Sequence, residues 1–292
     1  MIALYFPFIS SLVTKVRGML RFRGLVAAML TLVVIAGSFA VVRPSAAHRP
    51  FRVYLSFDDG PIPGNTNRIL DILKKYNVRA TFFVQGSHIH GNEIYVREEL
   101  LNGNHIGNHL ISHELNIMAP SNPPDSLMLS KYNEVDGAIR WALGGLAAQW
   151  DTEEPIKPFR WPGGAIKPIP LPNVITYNWT SATNDSGRVT PYGALYRALY
   201  GVPEVHEYGV FAWGDGAVLL MHDWSNSSIA ALPLIIENLQ DNGATFEVLP
   251  RPGDKPGTMP IVLGDVPDCA RHNNSCTPTY MSFTFKNTLP AN

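Results

Sequence analysis

The sequence predicts an α/β fold, either a barrel or an open sheet of parallel strands whose site lies at the carboxyl ends of the strands. Two observations carry that prediction. Short runs rich in β-branched and aromatic residues alternate with segments of helical length and periodicity, the order that builds parallel βαβ units. Three of the runs also deliver clusters of Asp, His or Arg at their ends, where such folds keep their chemistry. No repeat at a period of about 20–50 residues is visible, so a solenoid is excluded. With 292 residues, 46% hydrophobic and 16% charged, the chain can bury a substantial core and is not a disordered sequence.

The elements follow in order. Phe51 to Phe57 reads as a strand that runs into the turn Asp58-Asp59-Gly60-Pro61. Thr66 to Tyr76 places Ile69, Leu70, Ile72 and Leu73 on one helical face, with Asn65 or Thr66 as the cap. Val78 to Val84 is a second strand stopped by Gly86, and Glu93 to Leu101 a second helix. Further on, helices are expected near Ser130 to Leu143, Pro191 to Tyr200 and Ile229 to Asn242. Strands are expected near Pro158 to Arg160, Val174 to Trp179, Ala217 to Met221 and Thr245 to Leu249. Residues 251–292 turn to Pro and Gly and read as an irregular tail.

Charge narrows the class of function. Lys and Arg number 23 against 24 Asp and Glu, a net charge of −1, so no basic surplus exists to hold nucleic acid by its phosphates. Residues 1–47 carry Lys15, Arg17, Arg21, Arg23 and Arg43 and no acid, which leaves 18 basic against 24 acidic residues beyond them. The first four of these cations precede an apolar run from Gly24 to Val42, the order of a secretory signal, and Ser45-Ala46-Ala47 has the small residues of a cleavage site. A run of 19 residues is also close to the length that spans a bilayer, so an uncleaved anchor is the rival reading. Both place residues 48–250 outside the cytosol as a secreted, periplasmic or cell-surface domain, touching the membrane only through the N-terminal segment. Cys269 and Cys276, the two cysteines of the chain, are then expected to form a local disulfide in the tail.

Three clusters carry chemistry. Adjacent carboxylates at Asp58 and Asp59 repel each other unless a cation or separate hydrogen-bond partners hold them. In Asn108-His109-Leu110-Ile111-Ser112-His113 two histidines lie four apart; on a helical turn that spacing puts both imidazoles on one face, where they can share zinc. Leu110 stands where a zincin keeps its glutamate, so the base must come from elsewhere, and the two aspartates supply a third ligand and a base. The apolar run Val218 to Met221 ends in His222, a residue suited to act as a general acid at a sheet rim. Between the second and third clusters stands Phe159-Arg160-Trp161-Pro162-Gly163-Gly164. Trp161 is of a type that stacks on sugar rings and equally one that fills cores.

Taken in order, FDDGP, NHLISH, the Arg160–Pro162–Gly164 spacing and the Leu220–His222 pair resemble the polysaccharide deacetylase family, also called the NodB homology domain or carbohydrate esterase family 4. The resemblance covers about Phe51 to Leu249 and implies a distorted (β/α) barrel. It implies a metal, usually zinc with cobalt or another divalent transition metal as substitutes, held by Asp59, His109 and His113. Asp58 corresponds to the catalytic base, Arg160 to the residue that orients it, and Gly163 to a backbone donor for the oxyanion. His222 corresponds to the general acid, Asp185 to the residue that tunes it, and Leu220 to a wall of the acetyl pocket. The family's tryptophan after that Asp is Ser186 here, which leaves Trp179 or Trp224 to fill the space. The implied activity is removal of N-acetyl groups from a polymer of N-acetylglucosamine type. An O-acetyl esterase on xylan-like polymers and an inactive carbohydrate-binding relative are the alternatives.

Overall fold

The computed structural model describes residues 50–113, 124–164, 167–202, 207–262 and 265. The N-terminal segment 1–47 and the Cys269–Cys276 pair lie outside them. In chain order the strands are β1 (Phe51–Asp58), β2 (Thr81–Val84), β3 (His105–Asn108), β4 (Lys157–Phe159), β5 (Val174–Thr176), β6 (Ser181–Ala182), β7 (Gly201–Val202), β8 (Glu207–Tyr208), β9 (Ala217–His222) and β10 (Ala244–Glu247). The helices are α1 (Thr66–Tyr76), α2 (Gly86–Ile89), α3 (Glu93–Leu101), α4 (Asp125–Leu143), α5 (Ala147–Glu153), α6 (Pro191–Tyr200), α7 (Val210–Trp213) and α8 (Asn226–Asp241).

All eight strands of the main sheet run parallel, in the order β5-β4-β3-β2-β1-β9-β6 with β10 also paired to β1. β1 is the axis of the fold. One side pairs with β9 from Val53 to Asp58, and the other is shared between β10, at residues 51–54, and β2, at residues 56–58. The sheet curls into the distorted (β/α) barrel expected from the sequence, with β5 and β6 as the ends of the path. β7 and β8 form a separate antiparallel hairpin.

The period-2 alternation of β1 sorts its side chains into two cores. Val53, Leu55 and Phe57 face the helices and pack with Ile69, Leu73 and Ile235. Tyr54, in contrast, points into the barrel with Phe83, Ile175, Tyr177, Val218, Leu249 and Ile261. Ser56 and Asp58 share the inward face, and on β9 Leu220 and His222 are their register partners. The apolar lower barrel therefore leads upward, on the same face of the same strands, to polar residues at the carboxyl rim.

Several boundaries differ from the expectations, each for a local reason. Val78 follows the C-cap of α1 and does not join β2, because Asn77 takes a left-handed conformation (φ 53°) and the Val78 N–H donates to Leu73 O. α8 begins at Asn226, ahead of Ile229, because the Ser225 side chain caps it by accepting from Ser228 N. β3, α5 and the β7–β8 hairpin were not anticipated. Within the tail, residues 251–262 form no helix or strand and pack onto the barrel: Ile261 is buried, its carbonyl accepts from Asn178 Nδ2, and Tyr177 Oη donates to Asp254 Oδ2 at 2.6 Å.

Candidate active site

Asp58 is the last residue of β1, and Asp59 begins the turn with φ at 71°, a conformation that a non-glycine residue adopts only under constraint. The constraint is visible. His88 Nδ1–H donates to the Asp59 carbonyl at 2.7 Å, and Trp224 Nε1–H donates to Asp59 Oδ2 at 2.8 Å. Asp59 Oδ1 faces two imidazoles, His113 Nε2 at 2.8 Å and His109 Nε2 at 3.3 Å.

The two histidines do not share a helical turn, contrary to the sequence reading. β3 ends at Asn108, His109 follows it, and Leu110 reverses the chain in the left-handed region (φ 58°). Asn108 shapes that reversal: its Oδ1 accepts from Leu110 N at 2.9 Å and its Nδ2 donates to Tyr132 O at 3.0 Å. The buried Leu110 side chain seats the turn against Met128, Tyr132 and Phe159. A loop thus brings the two rings to 5.6 Å between centroids, at 71° to each other.

One ligand atom each from Asp59, His109 and His113 lies within 4.8 Å of the others, which suits a three-ligand cation site. A carbonyl can only accept, so His109 Nδ1 carries the proton it shares with Arg160 O at 2.8 Å and Nε2 keeps its lone pair. That lone pair faces two carboxylates, Asp59 Oδ1 at 3.3 Å and Asp58 Oδ2 at 3.6 Å. Acceptors converging in this way are compatible when a cation lies among them, and the imidazole with its far nitrogen tied to a carbonyl is the usual form of a histidine ligand. The residues therefore fit a divalent transition metal. Burial pushes the Asp59 carboxyl up, but the neighbouring His109 and His113 imidazoles and the Trp224 N–H outweigh it and hold the group well below the usual carboxylate range. The same bond to Asp59 raises the His113 imidazole.

Arg160 follows β4 and is fully buried. Its guanidinium donates from Nη1 to Asp58 Oδ1 at 2.7 Å and to Ser56 Oγ at 2.9 Å, and from Nε and Nη2 to the carbonyls of Tyr177 and Asn178. It also lies 4.1 Å from the centroid of the Phe83 ring. Burial lowers the Arg160 pKa while Asp58 works in the opposite direction. A buried charge pair of this kind fixes the carboxylate in one orientation.

Across the rim, His222 Nδ1–H donates to Asp185 Oδ1 at 2.6 Å. Asp185 Oδ2 accepts from the His222 backbone N at 3.1 Å and from Ser228 Oγ at 2.5 Å. Burial lowers the His222 imidazole, but Asp185 more than compensates and the net shift is upward. Asp185 responds in reverse: burial raises it, and its bonds to His222 and Ser228 bring it below its ordinary value.

These groups surround one cavity of about 340 Å³, lined by Asp58, His109, His113, Asp185, Leu220 and His222 together with Gly163, Trp179, Ala182, Asn184 and Ser186. Of the expected pocket aromatics, Trp179 lines the cavity beside Ser186. Trp161 does not: at 1% exposure it packs edge-on to Phe159, centroids 5.5 Å apart, and its Nε1–H donates to Lys167 O. Trp224 stands at the rim, stacked on the His222 ring. Sequence reasoning missed His88, Ser56 and Ser228, three common residue types whose partners are remote in the chain and carry no local signal. It also missed the hydrogen bond from Trp224 to Asp59.

Comparison with known proteins agrees with this geometry. The family profile described as "Polysaccharide deacetylase" matches residues 46–173. The peptidoglycan-N-acetylglucosamine deacetylase of Bacillus cereus is 29% identical over 204 residues, 66% of this chain and 84% of that protein. A bifunctional xylanase/deacetylase of Pseudobutyrivibrio xylanivorans is 28% identical over 221 residues, 72% of this chain, and the chain spans only 32% of that protein's length. The structure of a family 4 acetyl xylan esterase from Clostridium thermocellum, in complex with a cobalt ion, superposes with a TM-score of 0.52 at 25% identity, covering 68% of this chain and 87% of that one. By fold, by motif and by these likenesses, the chain belongs to the polysaccharide deacetylase family.

Proposed function

We propose that this protein is a metal-dependent hydrolase that removes N-acetyl groups from an extracellular N-acetylglucosamine-containing polysaccharide such as chitin, peptidoglycan or an exopolysaccharide, releasing acetate. One observation carries the reading: a three-donor cation site, a carboxylate paired with a buried guanidinium and an imidazole paired with a buried carboxylate all open on a single cavity. The name of the Bacillus cereus relative supports an amide substrate.

An amide carbonyl is a weak electrophile at neutral pH. Zn²⁺, or Co²⁺ in its place, held by Asp59, His109 and His113, supplies a Lewis acid for that carbonyl and lowers the pKa of water. Asp58 takes a proton from the attacking water; its Oδ1 is occupied by Arg160, which leaves Oδ2 for the task. The Gly163 backbone N–H donates to the oxyanion, a role that needs no side chain. Leu220 and Trp179 enclose the acetyl methyl group. His222, with Nδ1 tied to Asp185, gives its other proton to the departing amine as the carbon–nitrogen bond breaks. Acetate and a free amino sugar leave. Export through residues 1–47, as a cleaved leader or an anchor, brings the domain to its polymer. Among the described residues no helix is long and apolar enough to cross a membrane.

The second reading, an O-acetyl esterase, is favoured by the likeness to the acetyl xylan esterase. Acetate released by the zinc-loaded protein from an N-acetylglucosamine oligomer, from peptidoglycan and from acetyl-xylan separates the two. Release from the glucosamine polymers is expected. Release from acetyl-xylan alone would establish the esterase, and release from none would leave an inactive carbohydrate binder.

A further inference from the structure

We propose that Trp224 is a positioning residue joining the two halves of the site, fixing both how Asp59 presents itself to a cation and how the His222 ring faces the substrate. The inference rests on the proposed roles of Asp59 as ligand and His222 as acid. Trp224 lies in the short connection between β9 and α8, two residues beyond His222, where the chain leaves the sheet. From there its indole makes two contacts with groups that are otherwise far apart in the chain. Nε1–H donates to Asp59 Oδ2 at 2.8 Å, and the ring lies over the His222 imidazole with centroids 4.8 Å apart and planes 28° from parallel.

The two oxygens of Asp59 are thereby divided. Oδ1 faces the Nε2 atoms of His109 and His113, while Oδ2 is held by the indole. An indole N–H donates and cannot ligate, so it holds Oδ2 without competing for the cation. Asp59 is left to offer one oxygen in one direction. Donors that orient a ligand in this way are typically worth about 10–100-fold in metal affinity or activity. The Asp59 backbone is secured separately by His88, so loss of the indole releases the carboxylate without releasing the left-handed turn.

On the His222 side, the bond from Nδ1 to Asp185 fixes the tautomer but still permits the ring to pivot about that bond. A flat partner stacked on one face opposes that motion. Trp224 is itself 39% exposed, so its replacement removes little of the core.

The test compares Trp224→Phe, which keeps a flat ring and loses the donor, with Trp224→Leu, which loses both. Zn²⁺ affinity is read by competition with a chromogenic chelator, kcat at saturating Zn²⁺ on an N-acetylglucosamine oligomer, and Tm on the metal-free proteins. Both variants should bind Zn²⁺ about 10–100-fold more weakly, with metal-free Tm close to that of the parent. At saturating Zn²⁺, Trp224→Leu should turn over several-fold more slowly than Trp224→Phe. Unchanged Zn²⁺ affinity in Trp224→Phe overturns the proposal, as does equal kcat in the two variants or a loss of affinity that tracks a fall in metal-free Tm. Asp59→Asn, measured alongside, keeps the two levels apart. If it holds Zn²⁺ as tightly as the parent, the ligand assignment itself is wrong; if it loses Zn²⁺ while Trp224→Phe does not, only the role of Trp224 is wrong.

Discussion

Asp58 and Asp59 are adjacent in the chain and face different partners, one a buried guanidinium and the other two imidazoles. The difference yields a sharp expectation. Asp58→Asn should abolish turnover and still bind metal, whereas Asp59→Asn should lose both, because only the second carboxylate is asked to hold the ion. Metal analysis of the two purified variants decides it, and equal metal loss in both would mean the roles are shared. His222→Ala should lower kcat by about 10²–10⁴-fold on an N-acetylglucosamine oligomer, and much less on an aryl acetate, whose phenolate leaves without a proton. Equal slowing on both substrates would remove His222 from the role of acid. Asp185 raises the His222 imidazole, so Asp185→Asn should lower it and move the alkaline limb of the pH–rate profile toward lower pH. An alkaline limb that stays in place would count against the pairing. At this scale the sequence is informative about identity: of its motif residues Asp58, His109, His113, Asp185 and His222 line one cavity, and Asp59 and Arg160 contact the lining residues His109 and Asp58. Trp161 was legible only as a tryptophan. Whether such a residue faces a sugar or a core depends on packing from α4 and β4, which no local pattern reports.

Among the elements, β3 shows where periodicity stops being informative. His105-Ile106-Gly107-Asn108 has neither a β-branched run nor clean alternation, yet it pairs with β2 over all four residues. Gly107 is there because the strand passes over a ring: a Cβ at that position would lie 2.5 Å from Phe83 Cδ1 and 3.0 Å from Pro158 O. Gly107→Ala should therefore destabilise the fold by about 1–3 kcal/mol through overpacking, read as a lower urea midpoint with unchanged m. A midpoint equal to the parent's would show that Phe83 can move aside at little cost. The reading of the histidine pair as a helical turn failed for a related reason. Spacing alone cannot distinguish a helix from a loop folded back by Leu110, and it was the burial of that leucine and the Asn108 bonds that settled the geometry.

In the molecule as a whole, burial of acids sets the pH response of stability. Glu99 is fully buried, neither of its carboxyl oxygens has a hydrogen-bond partner among the described residues, and burial raises its pKa well above the ordinary value. Asp223 is raised to about 7, chiefly by burial and against the bond from Thr66 Oγ1. Each acid is easier to protonate folded than unfolded, so its contribution to stability is fully present below its unfolded pKa and is lost as pH rises through the folded value. Stability should accordingly decline from about pH 4 toward pH 7–8, and Glu99→Gln should be less sensitive over that window. Urea unfolding at pH 5 and pH 8 tests this; an identical difference in parent and variant would show that Glu99 does not titrate with folding.

The alternation of strand and helix and the residue types that carry the site's chemistry were determined by the sequence itself, because they depend on side-chain periodicity and on residue types that few other roles require. Tertiary structure decided the rest. The order of the sheet, the division of β1 between β10 and β2, the seating of Trp161 in the core and the convergence of His88 and Trp224 on Asp59 all join residues distant in the chain. Contacts of that kind are fixed by how whole surfaces pack and by which buried polar groups find partners, and neither is written in any short stretch of sequence.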